Sequence, residues 1–263
     1  MPLLSAESVT VRFGGLAALN DASLAVEAGK VTGLVGPNGA GKTTCFNVIT
    51  GLQPPTSGRI VFDDRDVTSK SPTRRARMGI ARTFQKLEAF GTLSAYDNVL
   101  VAAEMRRAWD KSGFDPKKVA DDLVERVGIG SVRDYIVSTL PTGTARLVEL
   151  ARALALDPRV LLLDEPSSGL NEDETGEMAS LLSEFVADGL GILLVEHDHR
   201  RRDAVRRPQS LGDGLPARVP GRMQPGDHDV AGDGRRGGRS VALVRRRGAE
   251  GAGGERRGAG DPS

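Results

Sequence analysis

This 263-residue chain is short of most of the features that would mark it as secreted or membrane-spanning. It has one cysteine, one tryptophan and two tyrosines, and aromatics make up only 4% of it. With Cys45 as the lone thiol, no internal disulfide can form, so the fold must rest on a buried core, as suits a reducing compartment. Cys45 itself, among small apolar neighbours, reads as a packing residue. No apolar run approaches the roughly 18 residues that a membrane-spanning helix needs. The longest, Val160 to Leu163 and Ile192 to Val195, have the length of buried strands. The first residues, MPLLSAESVTVRF, lack the charged start and long apolar stretch of an export signal, so a cytoplasmic location is expected.

A further set of absences divides the chain. Residues 199–263 contain no Lys, Ile, Phe, Tyr, Trp, Asn or Thr, but 14 Gly, 15 Arg and 8 acids, a balance of +7. Residues 1–198 carry −6, so the overall charge of +1 hides an acidic body and a basic tail. Such a tail cannot bury enough apolar surface to offset the entropy of ordering, and it is expected to be disordered beyond a boundary near Asp198.

Before that boundary, apolar alternation and β-branched residues predict strands near Ser8 to Phe13, Ala22 to Val26, Val31 to Val35 and Arg59 to Phe62. Helical patterns follow at Lys42 to Thr50, Leu93 to Arg107, Pro116 to Val127, Thr144 to Leu156 and Glu172 to Ala187, the first stopping at Gly51. RVLLLDE and GILLVEH are almost wholly apolar up to their last residues, which predicts strands covered on both faces. The fold class is therefore α/β, with a mainly parallel sheet.

Residues Gly36-Pro37-Asn38-Gly39-Ala40-Gly41-Lys42-Thr43-Thr44 satisfy the phosphate-loop pattern G-x-x-x-x-G-K-S/T, between the strand VTGLV and a helix. Its glycines let successive backbone N–H groups converge on one centre at a helix N-terminus, which makes an anion cradle. Lys42 supplies a point charge for β and γ oxygens, and the Thr43 hydroxyl is placed to ligate Mg²⁺. Asp164 and Glu165 end the apolar run RVLLLDE, where open α/β sheets present ligand-binding residues. In that position Asp164 serves Mg²⁺ through water and Glu165 polarises the attacking water, although both also read as a solvated strand end.

The order of these motifs resembles that of ATP-binding-cassette ATPases, the motor subunits of ABC transporters, over residues 3 to 198. The resemblance implies a P-loop NTPase domain at 1–198 with a parallel core sheet, an antiparallel N-terminal β part and a helical subdomain at about 86–155. It implies ATP and Mg²⁺ as ligands. Phe13, in VRFGG, matches the aromatic that stacks on adenine, though an aromatic on a strand taken alone reads as core. Gln85, after ARTF, matches the glutamine that reaches Mg²⁺ and the membrane partner. His197, in LLVEHD, matches the histidine that contacts the γ-phosphate, where an isolated histidine would read as structural.

In this family two subunits pair head to tail, each ATP lying between one phosphate loop and the other subunit's LSGGQ signature. The matching segment here is Leu140-Pro141-Thr142-Gly143-Thr144, followed by the helix ARLVELARALALD. Pro141 brings neither hydroxyl nor N–H, so the segment is expected to be the weaker half of a shared site. The runs RFGGLAALNDASLAVEAGKVTGLVGPNGAGKTT, NVITG and GIARTFQ are most similar to the ATPases of branched-chain amino-acid importers. Lipopolysaccharide-export ATPases, a non-transport clamp and an inactive relic are the alternatives. The implied partners are a second ATPase subunit, two membrane permeases and, indirectly, a solute-binding protein, at the cytoplasmic face of the plasma membrane as a peripheral subunit. The acidic body has the wrong sign for nucleic acid.

After His197 the chain departs from the family. Read one base out of frame, the codons for His199 to Asp203 permit Ile-Asp-Val-Val-Met, and those for Arg206 to Ser210 permit Ala-Asp-Arg-Ser, which looks like the family's usual continuation. An inserted base after Asp198 is one reading of the tail. A cationic Gly/Arg segment for nucleic acid is the other. Losing the family's last strands is expected to open a sheet edge.

Overall fold

The computed structural model describes residues 1–84, 87–195 and 239–243. Its elements run β1(Leu4–Phe13), β2(Leu16–Val26), β3(Val31–Val35), α1(Lys42–Thr50), β4(Ser57–Phe62), β5(Arg65–Asp66), α2(Pro72–Arg77), β6(Ile80–Arg82), α3(Ala95–Arg107), α4(Pro116–Arg126), α5(Thr142–Leu154), β7(Val160–Asp164), α6(Glu172–Ala187), β8(Gly191–Val195) and β9(Arg239–Leu243).

The strands form two sheets. One is antiparallel, in the order β2-β1-β4-β5, and the other is parallel, in the order β6-β7-β8-β3-β9. Parallel register runs from Val31↔Ile192 to Leu34↔Val195 between β3 and β8, and from Val160↔Gly191 to Asp164↔Val195 between β7 and β8. The apolar runs follow from this placement. Along β7, Val160 and Leu162 pack into a core shared with the antiparallel sheet and α1, whereas Leu161 and Leu163 pack into a second core with α3, α5 and α6. Each face of the strand is covered, so alternation disappears from its sequence.

Helix ends follow their caps. Asn171 and Glu174 form a reciprocal capping box on α6, Ser94 accepts from Asp97 N at the start of α3, and Asp115 does the same for α4 with Pro116 in its first turn. α5 begins two residues earlier than expected. Pro141 caps it at φ −54°, ψ 151°, a position that requires neither a helical ψ nor an N–H. β1 and β2 extend well beyond the alternation that suggested them. Register shifts between Ala6 and Val11, with Ser8 at φ 50° and Asp21 at φ 49°, break the two-residue period without breaking the ladder.

α3, α4 and α5 all fall between β6 and β7, and α3 packs on both α4 and α5. Inside the stretch expected to be disordered, Arg239–Leu243 forms β9, parallel to β3. The β3 edge, expected to be open, is thus paired. Val241-Ala242-Leu243-Val244 is a short apolar run of strand type that the tail's Arg and Gly content conceals. The boundary at Asp198 and the rest of the tail lie outside the described residues.

Candidate phosphate-binding and hydrolytic site

The carboxyl ends of β3 and β7 bring the two sequence motifs together. β3 ends at Val35, the chain loops through residues 36–41, and α1 starts at Lys42 behind Gly41, which sits at φ 88°. That conformation alone favours glycine, and space demands it too. A Cβ on Gly41 would lie 2.4 Å from Ala18 O and 2.8 Å from Leu19 Cδ2. The loop is thus fitted against β2, and its N–H groups and the head of α1 stay turned to one side.

Lys42 is buried and donates from Nζ to Gly36 O at 2.6 Å and Pro37 O at 3.0 Å. Burial holds its pKa below the ordinary lysine value, against the opposing pull of Glu165 and Asp164. Asp164 and Glu165 are buried as well, which removes the reading of the pair as a solvated strand end. Glu165 adopts φ 54°, a left-handed conformation unusual for a glutamate, while its N–H donates to Val195 O at 3.0 Å. A cleft of about 370 Å³ is bordered by Gly39, Gly41, Lys42, Thr43, Thr44, Asp164 and Glu165, with Leu16, Ala18, Asn38 and Val195 completing the wall. Leu16 and Ala18 carry no chemical signature and were not foreseen. They enter because β2 backs the phosphate loop.

Phe13 ends β1, pairs with Leu16 across the hairpin and is 51% exposed, so it is not a core aromatic. Pro141, Thr142, Gly143 and Thr144 do not border the cleft. They sit at the head of α5 against the loop after β7, where a Cβ on Gly143 would lie 2.6 Å from Glu174 Oε1 and one on Gly169 3.4 Å from Thr142 Cγ2. Gln85 and His197 lie outside the described residues.

One unforeseen side chain reaches the site from β6. Arg82 Nη2 donates to Asp164 Oδ2 at 2.8 Å, with both side chains buried. Nothing in the run GIARTFQ distinguishes this arginine from a solvated one. Only the β6–β7 register, Arg82↔Leu162, places it beside Asp164.

The chain was compared with known proteins. The model of the ABC transporter family matches residues 19–168. The high-affinity branched-chain amino acid transport ATP-binding protein BraF of Pseudomonas aeruginosa is 36% identical over 210 residues, 75% of this chain and 82% of that protein. The lipopolysaccharide export system ATP-binding protein LptB of Escherichia coli K12 is 36% identical over 205 residues, 78% and 84% of the two chains. Among solved structures, the ADP conformation of MJ1267, an ATP-binding cassette of an ABC transporter, superposes with a TM-score of 0.67 at 30% identity over 75% of this chain and 82% of that one. A phosphate loop seated on β3, the buried Asp164–Glu165 pair closing β7 and a family match spanning more than half the sequence agree, and the chain belongs to the ABC transporter family as an ATP-binding, ATP-hydrolysing subunit.

Proposed function

We propose that this chain hydrolyses Mg-ATP to drive import of branched-chain amino acids or related solutes through a pair of membrane permeases. The observation that carries the reading is a single cleft that gathers the phosphate-loop amides, Lys42, Thr43 and the buried Asp164 and Glu165. The loop residues Gly36, Pro37, Asn38, Gly39, Ala40, Gly41 and Thr44 surround the phosphates, and Lys42 exchanges its carbonyl partners for phosphate oxygens. The donor set suits Mg²⁺. Among the described residues no group of three or more His, Cys, Asp or Glu would cage a metal, whereas Thr43 and Asp164 fit an ion that takes its remaining ligands from water and phosphate. Mg²⁺, when bound, neutralises charge on those oxygens. Glu165 orients and polarises the attacking water, and Gln85 and His197 are assigned to the metal and the γ-phosphate.

Phe13, exposed at the end of β1, is assigned to the adenine. Pro141, Thr142, Gly143 and Thr144 are assigned to the ATP of a second, paired subunit, where the free N–H groups at the head of α5 stand in for the missing serine. The chain is assigned to the cytoplasmic face as a peripheral subunit; among the described residues no helix is long and apolar enough to cross a membrane. BraF supports import and LptB, at equal identity, supports lipopolysaccharide export as the second reading.

The test is ATP binding and hydrolysis by the full chain together with its permease pair. Glu165→Gln is expected to keep ATP binding and lower hydrolysis by roughly 10²-fold or more. Hydrolysis indifferent to Glu165 would overturn the assignment. Stimulation by a binding protein loaded with a branched-chain amino acid supports import, and stimulation by lipopolysaccharide overturns it in favour of export.

A further inference from the structure

We propose that Arg82 is a positioning residue that orients the Asp164 carboxylate for Mg²⁺ and thereby sets the metal dependence of nucleotide binding. The inference rests on the ATP-site reading above. Arg82 Nη2 holds Asp164 Oδ2 at 2.8 Å, Nη1 donates to Asn47 Oδ1 at 2.6 Å, and Nε donates to Thr83 O at 3.3 Å. The guanidinium also lies over two rings, 5.2 Å from the centroid of Phe46 and 4.7 Å from that of Phe84. Its plane is therefore held by two ring contacts and by hydrogen bonds along its edges, and Arg82 is an anchored strut in place of a mobile arm.

The anchors come from the parts that must work together. Phe46 and Asn47 lie on α1, the helix that starts at Lys42 of the phosphate loop. Thr83 and Phe84 lead directly into Gln85. Asp164 ends β7 beside the catalytic Glu165.

A buried ion pair contributes little net stability, because the desolvation of two charges consumes most of their attraction. An orienting role gives this one a reason to exist. A carboxylate that reaches a metal through water must present a defined oxygen in a defined direction, and outer partners that hold such ligands typically govern about 10–100-fold in metal affinity. The guanidinium charge also repels a divalent ion. The proposal requires orientation to outweigh that repulsion, which fixes the sign of the expected effect.

The experiment is equilibrium binding of a methylanthraniloyl-ATP probe to the full 263-residue chain, in EDTA and across a Mg²⁺ titration. Arg82→Gln is expected to raise the Mg²⁺ midpoint about tenfold or more. Affinity in EDTA should stay within about twofold, because the phosphate-loop amides are untouched. Arg82→Lys, which keeps the charge but cannot bridge Asn47 and Asp164 together, should fall between the two. Asn47→Ala, which frees one edge of the guanidinium, should move the midpoint in the same direction by less. It also serves where Arg82→Gln fails to fold. In an Asp164→Asn background, Arg82→Gln should change nothing further.

An unchanged midpoint, a tighter one, or equal losses with and without Mg²⁺ would each overturn the inference while leaving the ATP site standing. A chain that binds no nucleotide in either condition would overturn the site itself.

Discussion

Replacing Arg75 with methionine tests how the phosphate loop is held from behind. Arg75 is 1% exposed, and no salt bridge to it is present among the described residues. Its guanidinium grips carbonyls instead. Nη1 donates to Val48 O at 2.6 Å and Ile49 O at 2.7 Å, Nη2 to Thr68 O at 2.8 Å, and Nε to Lys70 O at 3.1 Å. The first two belong to the last turn of α1, where the helix dipole is negative, and only Val48 O has a backbone partner there, the Gly51 N–H at 3.2 Å. Burial lowers the Arg75 pKa and Asp66 opposes that shift, so desolvation of the cation is the larger effect.

Methionine keeps much of the side-chain volume and removes the donors. Thr68 O and Lys70 O belong to half-buried and exposed residues, so water replaces those bonds cheaply. Val48 O keeps the Gly51 N–H at 3.2 Å and loses one of two bonds, at about 1 kcal/mol, whereas Ile49 O loses its donor while buried, at about 1–3 kcal/mol. Relief from desolvating the guanidinium returns about 1 kcal/mol, taking the low end of the penalty for a group whose bonds are already made. The net loss is about 2 kcal/mol, which corresponds to a fall in melting temperature of about 6 °C for a domain of this size. Thermal and urea unfolding of the two proteins measure it. A loss below about 0.5 kcal/mol would refute the account, since it would mean that the end of α1 does not depend on this clamp.

Three further outcomes follow from the loop and the helix behind it. Gly41→Ala is expected to abolish ATP binding while leaving the chain folded, because a Cβ at 2.4 Å from Ala18 O forces either the loop or β2 to move, and retained affinity in a binding titration would contradict the geometry. Cys45 is buried on α1 and its thiol is pushed up to about 12 by desolvation, so a disulfide reagent at pH 8 should label it only as fast as the protein opens. The unfolded thiol titrates near 8.5 by ordinary values. The folded one keeps its proton to about 12, so this thiol contributes a fall in stability with rising pH across that interval, and denaturation curves of Cys45→Ala should fall less steeply there.

The phosphate loop was legible in the sequence because its constraints are local. A strand, a run of glycines and a helix start define it within nine residues, and the structure puts α1 at the predicted Lys42–Thr50. α6 was equally legible from its first turn and its period, and Asn171 completes it as a cap. Elements shorter than two periods were not. β5 has two residues, β6 three and α2 six, three of them arginine, so none displays the recurrence by which a strand or helix is recognised.

Four buried charges left no mark in the sequence for a related reason. A lone sequence assigns Arg75, Arg82, Arg146 and Glu149 to solvent, yet all four are buried or nearly so. Each bonds at least one partner well separated along the chain. Arg82 meets Asp164, 82 residues away. On α5, Arg146 donates to Phe84 O at 3.0 Å, Glu149 accepts from Glu88 N at 3.2 Å, and Arg152 donates to Glu88 O at 2.7 Å. Burial raises the Glu149 pKa in spite of Arg146 beside it, so the carboxylate stays desolvated at a cost to hold this segment. Helix α5, whose head is Pro141 to Thr144, is therefore tied by side chains to the backbone on both sides of Gln85. The same residues 83 and 84 brace Arg82 against Asp164. Pairs of this kind are set by which strands and helices lie side by side, and spacing along the chain holds no record of that. The backbone half of the site could be read directly, and the charged half only once β6, β7 and α5 had been placed around it.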